Sequence, residues 1–424
     1  MIAVVSALGM TAVLGGCGST GSSDVTLRLV AADYGDSPAN SSKKYWDTLV
    51  KEYESKHPGV KIDVSVYSWN DVDAKVKDMV AAGHAPDLAQ IGAYADYAAA
   101  GKLYPVSDLL SIPTQADFLS QLSEAGQWNH TQYGIPFAAS TRVLFYNKTL
   151  FARAGITTAP TTWDQLAADA QALKDKGVKY PFALPLGPEE AQAETMQWLL
   201  SGSDPGNGGN GYTDEIGTYT IDSAQNVQTF TWLKDDLVDK GLTGPVAPGR
   251  LNRATAFAAF ADGQVGMLNG HPTLIQQAQK KGVKFGMVPM PGRTGKARAS
   301  MGVADWMMAF KQNGHRDQIG DFLNFVYTEK NVLDFSREYG LLPVTGSASN
   351  TMSASDSAPD KALHPFLDEL PTSELYPVGK TSWASVSAAV KQNIGQAVAP
   401  GGDPAGVLSR LQATASAADS SARN

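Results

Sequence analysis

The strongest constraint on the fold is a rhythm that begins at residue 24. Asp24-Val-Thr-Leu-Arg-Leu-Val-Ala31 alternates and is rich in branched residues, which predicts a strand, and residues 43–57 then space Tyr45, Trp46, Leu49, Val50 and Tyr53 as a helix does. Pro58-Gly59 stops that helix. A second strand, Val60-Lys-Ile-Asp-Val-Ser-Val-Tyr67, precedes a helix over 72–82 and the apolar Pro86-Asp-Leu-Ala-Gln-Ile91. Strand and helix in alternation imply a parallel α/β sheet with right-handed crossovers. In such sheets ligands lie beyond the carboxyl ends of the strands, so loops 33–36, 67–71 and 92–96 become candidate binding loops.

Those loops carry Tyr34, Asp36, Trp69, Asn70, Tyr94 and Asp96. Flat aromatic faces beside short carboxylates and amides suit a sugar, whose C–H faces stack on rings while its hydroxyls take charge-assisted hydrogen bonds. Taken singly, each residue has a plainer reading: Tyr45 and Tyr97 at helical spacing belong to a core, and a lone loop Trp as often covers packing as it binds. Only their convergence carries weight.

A chain of 424 residues with 43% apolar content has room for roughly two or three domains. Its net charge of -8 argues against nucleic acid and against a polybasic membrane contact, both of which need a basic surface. The single cysteine, Cys17, ends Leu14-Gly-Gly-Cys17, behind the uncharged apolar stretch 2–14 and ahead of Gly18-Ser-Thr-Gly-Ser-Ser23. That stretch is shorter than the about 20 apolar residues a spanning helix needs, so it reads as a signal segment. Cys17 resembles a lipobox cysteine. Residues 1–16 are thus expected to be a signal peptide and 17–23 a lipidated cysteine and linker, anchoring an exported protein on the outer face of the cytoplasmic membrane.

Signatures of catalysis are missing from the sequence: it has no H-E-x-x-H, no G-x-S-x-G and no paired-thiol metal spacing. Gly206-Asn-Gly-Gly-Asn-Gly211 satisfies G-x-G-x-x-G as a string but follows a helical stretch, and it reads as a surface loop. Gly292-Arg-Thr-Gly-Lys296 reads as a basic turn. No cofactor and no metal are expected. Scattered Asp and Glu pairs leave an exported glycosidase as the competing class.

The block Ala85-Pro-Asp-Leu-Ala-Gln-Ile-Gly-Ala-Tyr94, Ala100-Gly-Lys-Leu103, Tyr133-Gly-Ile-Pro-Phe137, Leu144-Phe-Tyr-Asn-Lys148, Ala154-Gly-Ile156 and Pro160-Thr-Thr-Trp-Asp164 stand in order along the chain. They are followed by Ala259-Phe-Ala-Asp-Gly-Gln-Val-Gly-Met-Leu-Asn-Gly270 and Gly340-Leu-Leu-Pro343. This series resembles the extracellular solute-binding proteins of carbohydrate ABC importers, the maltose-binding-protein-like family. The resemblance implies an α/β, two-lobed periplasmic-binding-protein-like fold, with a hinge and an interlobe ligand cleft. The chain would cross between lobes more than once. Ile135-Pro136-Phe137 and Val288-Pro-Met-Pro-Gly292 fix extended paths where crossings are expected. The expected first lobe is 24–136 plus 285–330, and the second 137–284 plus 331–424.

The resemblance also implies further ligand contacts. Its stacking aromatic falls on Trp383, in Lys380-Thr-Ser-Trp383, and its Asn-Gly-Pro-Trp motif matches Asn269-Gly-His-Pro272 in part, placing His271 where a ring is wanted. Asp305 and Trp306, in Gly302-Val-Ala-Asp-Trp306, are a replacement platform or a packed strand end. Arg142 donates to a sugar or forms an interlobe salt bridge. Trp198 falls where the family has another ring, though its helical neighbours Leu199 and Leu200 also suit a core. The implied protein is a monomeric receptor that captures a di- or oligosaccharide by lobe closure and hands it to an ABC permease. Polyamine or ferric-ion receptors are the competitors within the binding class. The runs 347–360 and 416–424 read as mobile.

Overall fold

The computed structural model describes residues 24–35, 38–69, 71–203, 211–214 and 216–422. Asp36, Asn70, Cys17, the signal segment and most of the Gly/Asn-rich loop lie outside the described residues. Twelve strands are described: β1 (Val25–Ala32), β2 (Val60–Tyr67), β3 (Leu88–Ile91), β4 (Gln127–Trp128), β5 (Thr131–Gln132), β6 (Ile135–Ser140), β7 (Val143–Asn147), β8 (Tyr180–Ala183), β9 (Val265–Gly270), β10 (Phe285–Val288), β11 (Met301–Ala309) and β12 (Glu374–Leu375). They form two main sheets and one small hairpin, β4-β5.

The first sheet runs β12-β11-β3-β1-β2, with β6 paired to β11. β1 lies parallel to both β2 and β3, as the strand–helix rhythm requires. The intervening helix Ser42–Lys56 buries Trp46, Leu49, Val50 and Tyr53, the residues its spacing selects, and Ser41 caps it by accepting from the Lys43 amide. The second sheet runs β10-β7-β9-β8 and is mixed: β8 and β9 are parallel, whereas β7 is antiparallel to both β9 and β10. Each sheet has its own aromatic core. Trp46 stacks on Phe137 at 5.4 Å under the first. Trp163, Trp198 and Trp232 pack together beside the second.

Three of the expected lobe boundaries shift. The chain leaves the first sheet after Ser140, not at Pro136, because Pro136 lies within β6. A proline is tolerated there since β6 has β11 as its one strand neighbour, and its other edge is met only by a bridge between Ala139 and Leu342, away from Pro136. Phe285 does not begin the return to the first lobe: β10 stays hydrogen-bonded to β7, and the return comes at β11. The segment from residue 331 to about 375 belongs with the first lobe, where Phe335 packs edge-on against Tyr34, Tyr45 and Phe137. The final helices, Trp383–Asn393 and Pro404–Ala422, then pack in the second lobe. The runs expected to be mobile are largely helical, Gly346–Ser353, Ala358–Leu367 and the end of Pro404–Ala422. Met352 and Leu363 are buried in the first two.

The crossings are stitched together at one buried serine. The Ser300 hydroxyl accepts from the Arg142 amide at 2.8 Å and donates to the Arg142 carbonyl at 2.8 Å, and its own carbonyl accepts from the Glu374 amide at 3.0 Å. Three lengths of chain passing between the sheets thus share one residue. Ser300→Ala leaves a buried N–H and C=O of Arg142 without that partner. The expected cost is about 1–3 kcal/mol in urea unfolding, and a change below about 0.5 kcal/mol would show that the hydroxyl does not hold the hinge.

Candidate functional site

Both sheets present strand carboxyl ends to the space between them. On the first-lobe side, Tyr34 follows β1 and Trp69 follows β2, and their rings meet edge-on at 5.4 Å. The Tyr34 hydroxyl donates to Asp305 at 2.7 Å and accepts from Gln90 at 2.8 Å. The pairing of β11 with β6 shifts register between Asp305 and Trp306, a bulge that re-aims the carboxylate. Burial, more than any neighbour, pushes the Asp305 carboxyl up to about 7, with Asp73 and Glu190 adding to it. Asp73 stands nearby and accepts from the Gly92 amide at 3.0 Å.

The second-lobe side is a small cavity lined by Arg142, Pro185, Glu190, Glu194, Arg253, Phe257, Asn269 and His271. Its assembly follows from register. Val143 of β7 lies opposite Gly270 of β9, which sets Arg142 beside His271, and parallel β8 next to β9 delivers Pro185 and Glu190 to the same end. Glu190 pairs with both Arg142 and Arg253, meeting Nε of the latter, while Glu189 takes its Nη2 at 2.7 Å. Behind them Glu194 is 5% exposed and accepts from Trp198 Nε1 and from Asn269 Nδ2, each at 2.7 Å. Burial pushes its carboxyl up to about 8 despite those donors. His271 Nδ1 lies 3.0 Å from the Thr273 hydroxyl. Burial first, then the Arg142 and Arg253 guanidinium groups, hold its imidazole well below the usual range, so it is neutral at pH 7.

Tyr376, on the segment leading from β12 into the second lobe, lies near both sides: Arg142, Glu190 and Asp305 all act on its hydroxyl. Its ring stacks on Trp383 at 5.2 Å, and Tyr212 closes on Trp383 from another direction at 5.0 Å.

The residues expected at the site therefore divide. Arg142 and His271 line the second-lobe cavity, Tyr34, Trp69 and Asp305 are linked to one another at the first sheet, and Trp383 stacks on Tyr376. Four others do not reach the site. Trp198 and Trp306 are each 0% exposed. Trp198 packs into the second core, and Trp306 lies against Tyr94 at 5.3 Å in the first. Tyr94 is likewise buried, its hydroxyl donating to the Ala125 and Gln127 carbonyls. Asp96 turns outward from a short helix. Glu190, Glu194, Arg253, Phe257, Asn269 and Tyr376 were not foreseen as contacts. For Asn269, at the carboxyl end of β9, the strand-end reasoning applied to Tyr34 would serve as well, whereas Glu190 stands further on, at the start of the helix Ala191–Ser201. Among the described residues no group of His, Cys, Asp and Glu is placed to hold a metal ion, and no helix is long and apolar enough to cross a membrane.

A family model described as bacterial extracellular solute-binding protein matches residues 48–363. A Brucella abortus protein named as a binding protein is 26% identical over 397 residues, covering 92% of each chain. The diacetylchitobiose-binding protein DasA of Streptomyces coelicolor is 29% identical over 195 residues, 44% of this chain and 45% of its own. Among solved structures, the cyclic alpha-maltosyl-1,6-maltose binding protein of Arthrobacter globiformis superposes with a TM-score of 0.76 at 22% identity, covering 94% of this chain and 99% of that one.

Proposed function

We infer the function from one premise: the chain belongs to the family of bacterial extracellular solute-binding proteins. On that premise it is the exported receptor of a carbohydrate ABC importer, capturing a di- or oligosaccharide between its lobes and delivering it to the permease as a monomer held to the membrane through a lipid on Cys17. The observation that carries this reading is the convergence of rings and hydrogen-bonding groups from both sheets on one cleft. Tyr34, Trp69 and Tyr376 supply rings, Tyr376 backed by the buried Trp383, while Asp305, Asn269 and His271 offer acceptors and a neutral donor. A sugar needs both at once. The relatives named for diacetylchitobiose and for a cyclic maltosyl-maltose support the same ligand class.

The mechanism is closure. A ligand touching both lobes binds the closed state better than the open one and shifts the population accordingly, and the hinge at Ser300 confines the motion to a few residues. The permease would read the closed surface.

Thermal unfolding of the chain starting after Cys17, against mono-, di- and oligosaccharides and polyamines, tests the reading. A binder of the folded state stabilises it by about 2.7 kcal/mol at a hundredfold excess over its Kd. Trp69 is 36% exposed, so Trp69→Ala separates affinity from folding: the melting midpoint without ligand should hold, while affinity for the responding sugar falls roughly tenfold, about 1.4 kcal/mol. A response to spermidine alone would replace the sugar, and sustained release of reducing sugar from a glycoside would replace receptor by glycosidase.

A further inference from the structure

The second-lobe half of the cleft holds two arginines, and both guanidinium charges are already matched by carboxylates. Arg142, 4% exposed, pairs with Glu190, and Arg253 pairs with the other oxygen of Glu190 and with Glu189. Glu189 is fixed in turn by accepting from the Ala254 amide at 3.1 Å. Two positive charges meet two negative ones. The remaining polar groups of the cavity are uncharged or present acceptors: Asn269 is 3% exposed and its Oδ1 has no partner, and His271, with Nδ1 engaged by Thr273, carries its hydrogen on Nε2. Phe257 supplies an apolar wall, its ring 4.9 Å from that of His271. Across the cleft the first lobe offers the carboxyl groups of Asp305 and Asp73.

We propose that Glu190 makes this cavity a charge filter: by occupying both Arg142 and Arg253 it selects an uncharged sugar and rejects one bearing phosphate or carboxylate. This deepens, and rests on, the sugar-receptor reading above. A hydroxyl both donates and accepts, so it satisfies Asn269 Oδ1 and the His271 Nε2 hydrogen together. An anion gains nothing from Asn269 Oδ1, and it is repelled by the first-lobe carboxyls wherever they are ionised. At the guanidinium groups it meets the carboxylates of Glu189 and Glu190, so it must either approach like charge or displace Glu190, leaving a half-buried carboxylate without its partners.

The test is titration calorimetry on the chain starting after Cys17, with maltose, maltotriose and N,N'-diacetylchitobiose as neutral probes and glucose 6-phosphate and glucuronic acid as anionic ones. The wild type should bind at least one neutral probe and neither anionic one. Glu190→Gln frees the two guanidinium groups, so glucose 6-phosphate or glucuronic acid should gain affinity by roughly tenfold or more. Arg253→Gln, which leaves the site one cation poorer, should gain none. Should Glu190→Gln fail to fold, Glu189→Gln carries the same test with a smaller gain. An anionic probe bound by the wild type more tightly than every neutral one overturns the filter and leaves the sugar receptor standing. Equal anion affinity in wild type and both Glu variants also overturns it. Binding of no probe of either class overturns the receptor reading and the filter with it.

Discussion

Replacing Trp198 by alanine is expected to cost about 3–5 kcal/mol of folding stability, the range for deleting a large buried aromatic side chain. The ring is 0% exposed and lies between Trp163, Phe182 and Trp232 at centroid distances of 6.1, 5.9 and 6.0 Å. Its loss opens a cavity that neighbouring rings cannot close without leaving their own packing. The same change removes the indole donor from Glu194, stranding Oε1 of a buried carboxyl. Trp198→Phe separates the two effects. It keeps most of the packing, so it should cost about 1–3 kcal/mol through the orphaned Glu194 oxygen, and affinity for the responding sugar should stay within about threefold. A sugar platform would behave in the opposite way, with affinity falling and stability holding. Urea unfolding and calorimetry on both variants decide between a core ring and a binding ring.

Why Trp198 was open to both readings shows where sequence reading stops. The early strands and helices are legible because their cause is local: alternation in Val60–Tyr67 and helical spacing in Ser42–Lys56 each follow from which face is buried. The strand-end rule points to Tyr34 and Trp69 from position in the chain alone, and in the fold the two follow β1 and β2 with their rings in contact. What no local pattern contains is which core a ring enters. Trp306 follows Asp305 directly, yet one is sealed against Tyr94 while the other, at a bulge, accepts from Tyr34, because Trp306 is paired with both β3 and β6 and Asp305 with β6 alone. Phe335 carries no sign in its helix that its partners are Tyr34 and Tyr45, nearly 300 positions earlier. The hinge was displaced for a similar reason. Pro136 breaks a central strand but not an edge one, and only the finished sheet says which β6 is. Glu190 and Arg253 carry no local sign of the site because a charged residue on a helix or loop ordinarily faces water, and the pairing of Glu190 with both Arg142 and Arg253 depends on how the second sheet brings distant segments together.

Glu194 makes the last prediction one of sign as well as size. Its carboxyl titrates near pH 8 in the folded protein against an ordinary value of 4.5, chiefly because burial disfavours the charged form. Between those values the folded state holds a proton that the unfolded state has released. Stability therefore falls as pH rises, at about 1.4 kcal/mol per pH unit from this group, fully present below about pH 4.5 and lost by about pH 8. Asp305, raised to about 7, acts in the same direction over a narrower window. Glu194→Gln imitates the protonated acid: its amide can donate to Asn269 Oδ1, now without a partner, once the Asn269 amide is turned, while its carbonyl still accepts from Trp198. The variant should match the wild type within about 1 kcal/mol at pH 5 and exceed it by about 3–4 kcal/mol at pH 8.5, as read by urea unfolding at the two values. Parallel pH profiles for the two proteins would mean that Glu194 is already ionised in the fold. In that case three carboxylates, Glu189, Glu190 and Glu194, face two arginines at the second-lobe cavity, and a full carboxylate holds the Asn269 Nδ2 donor.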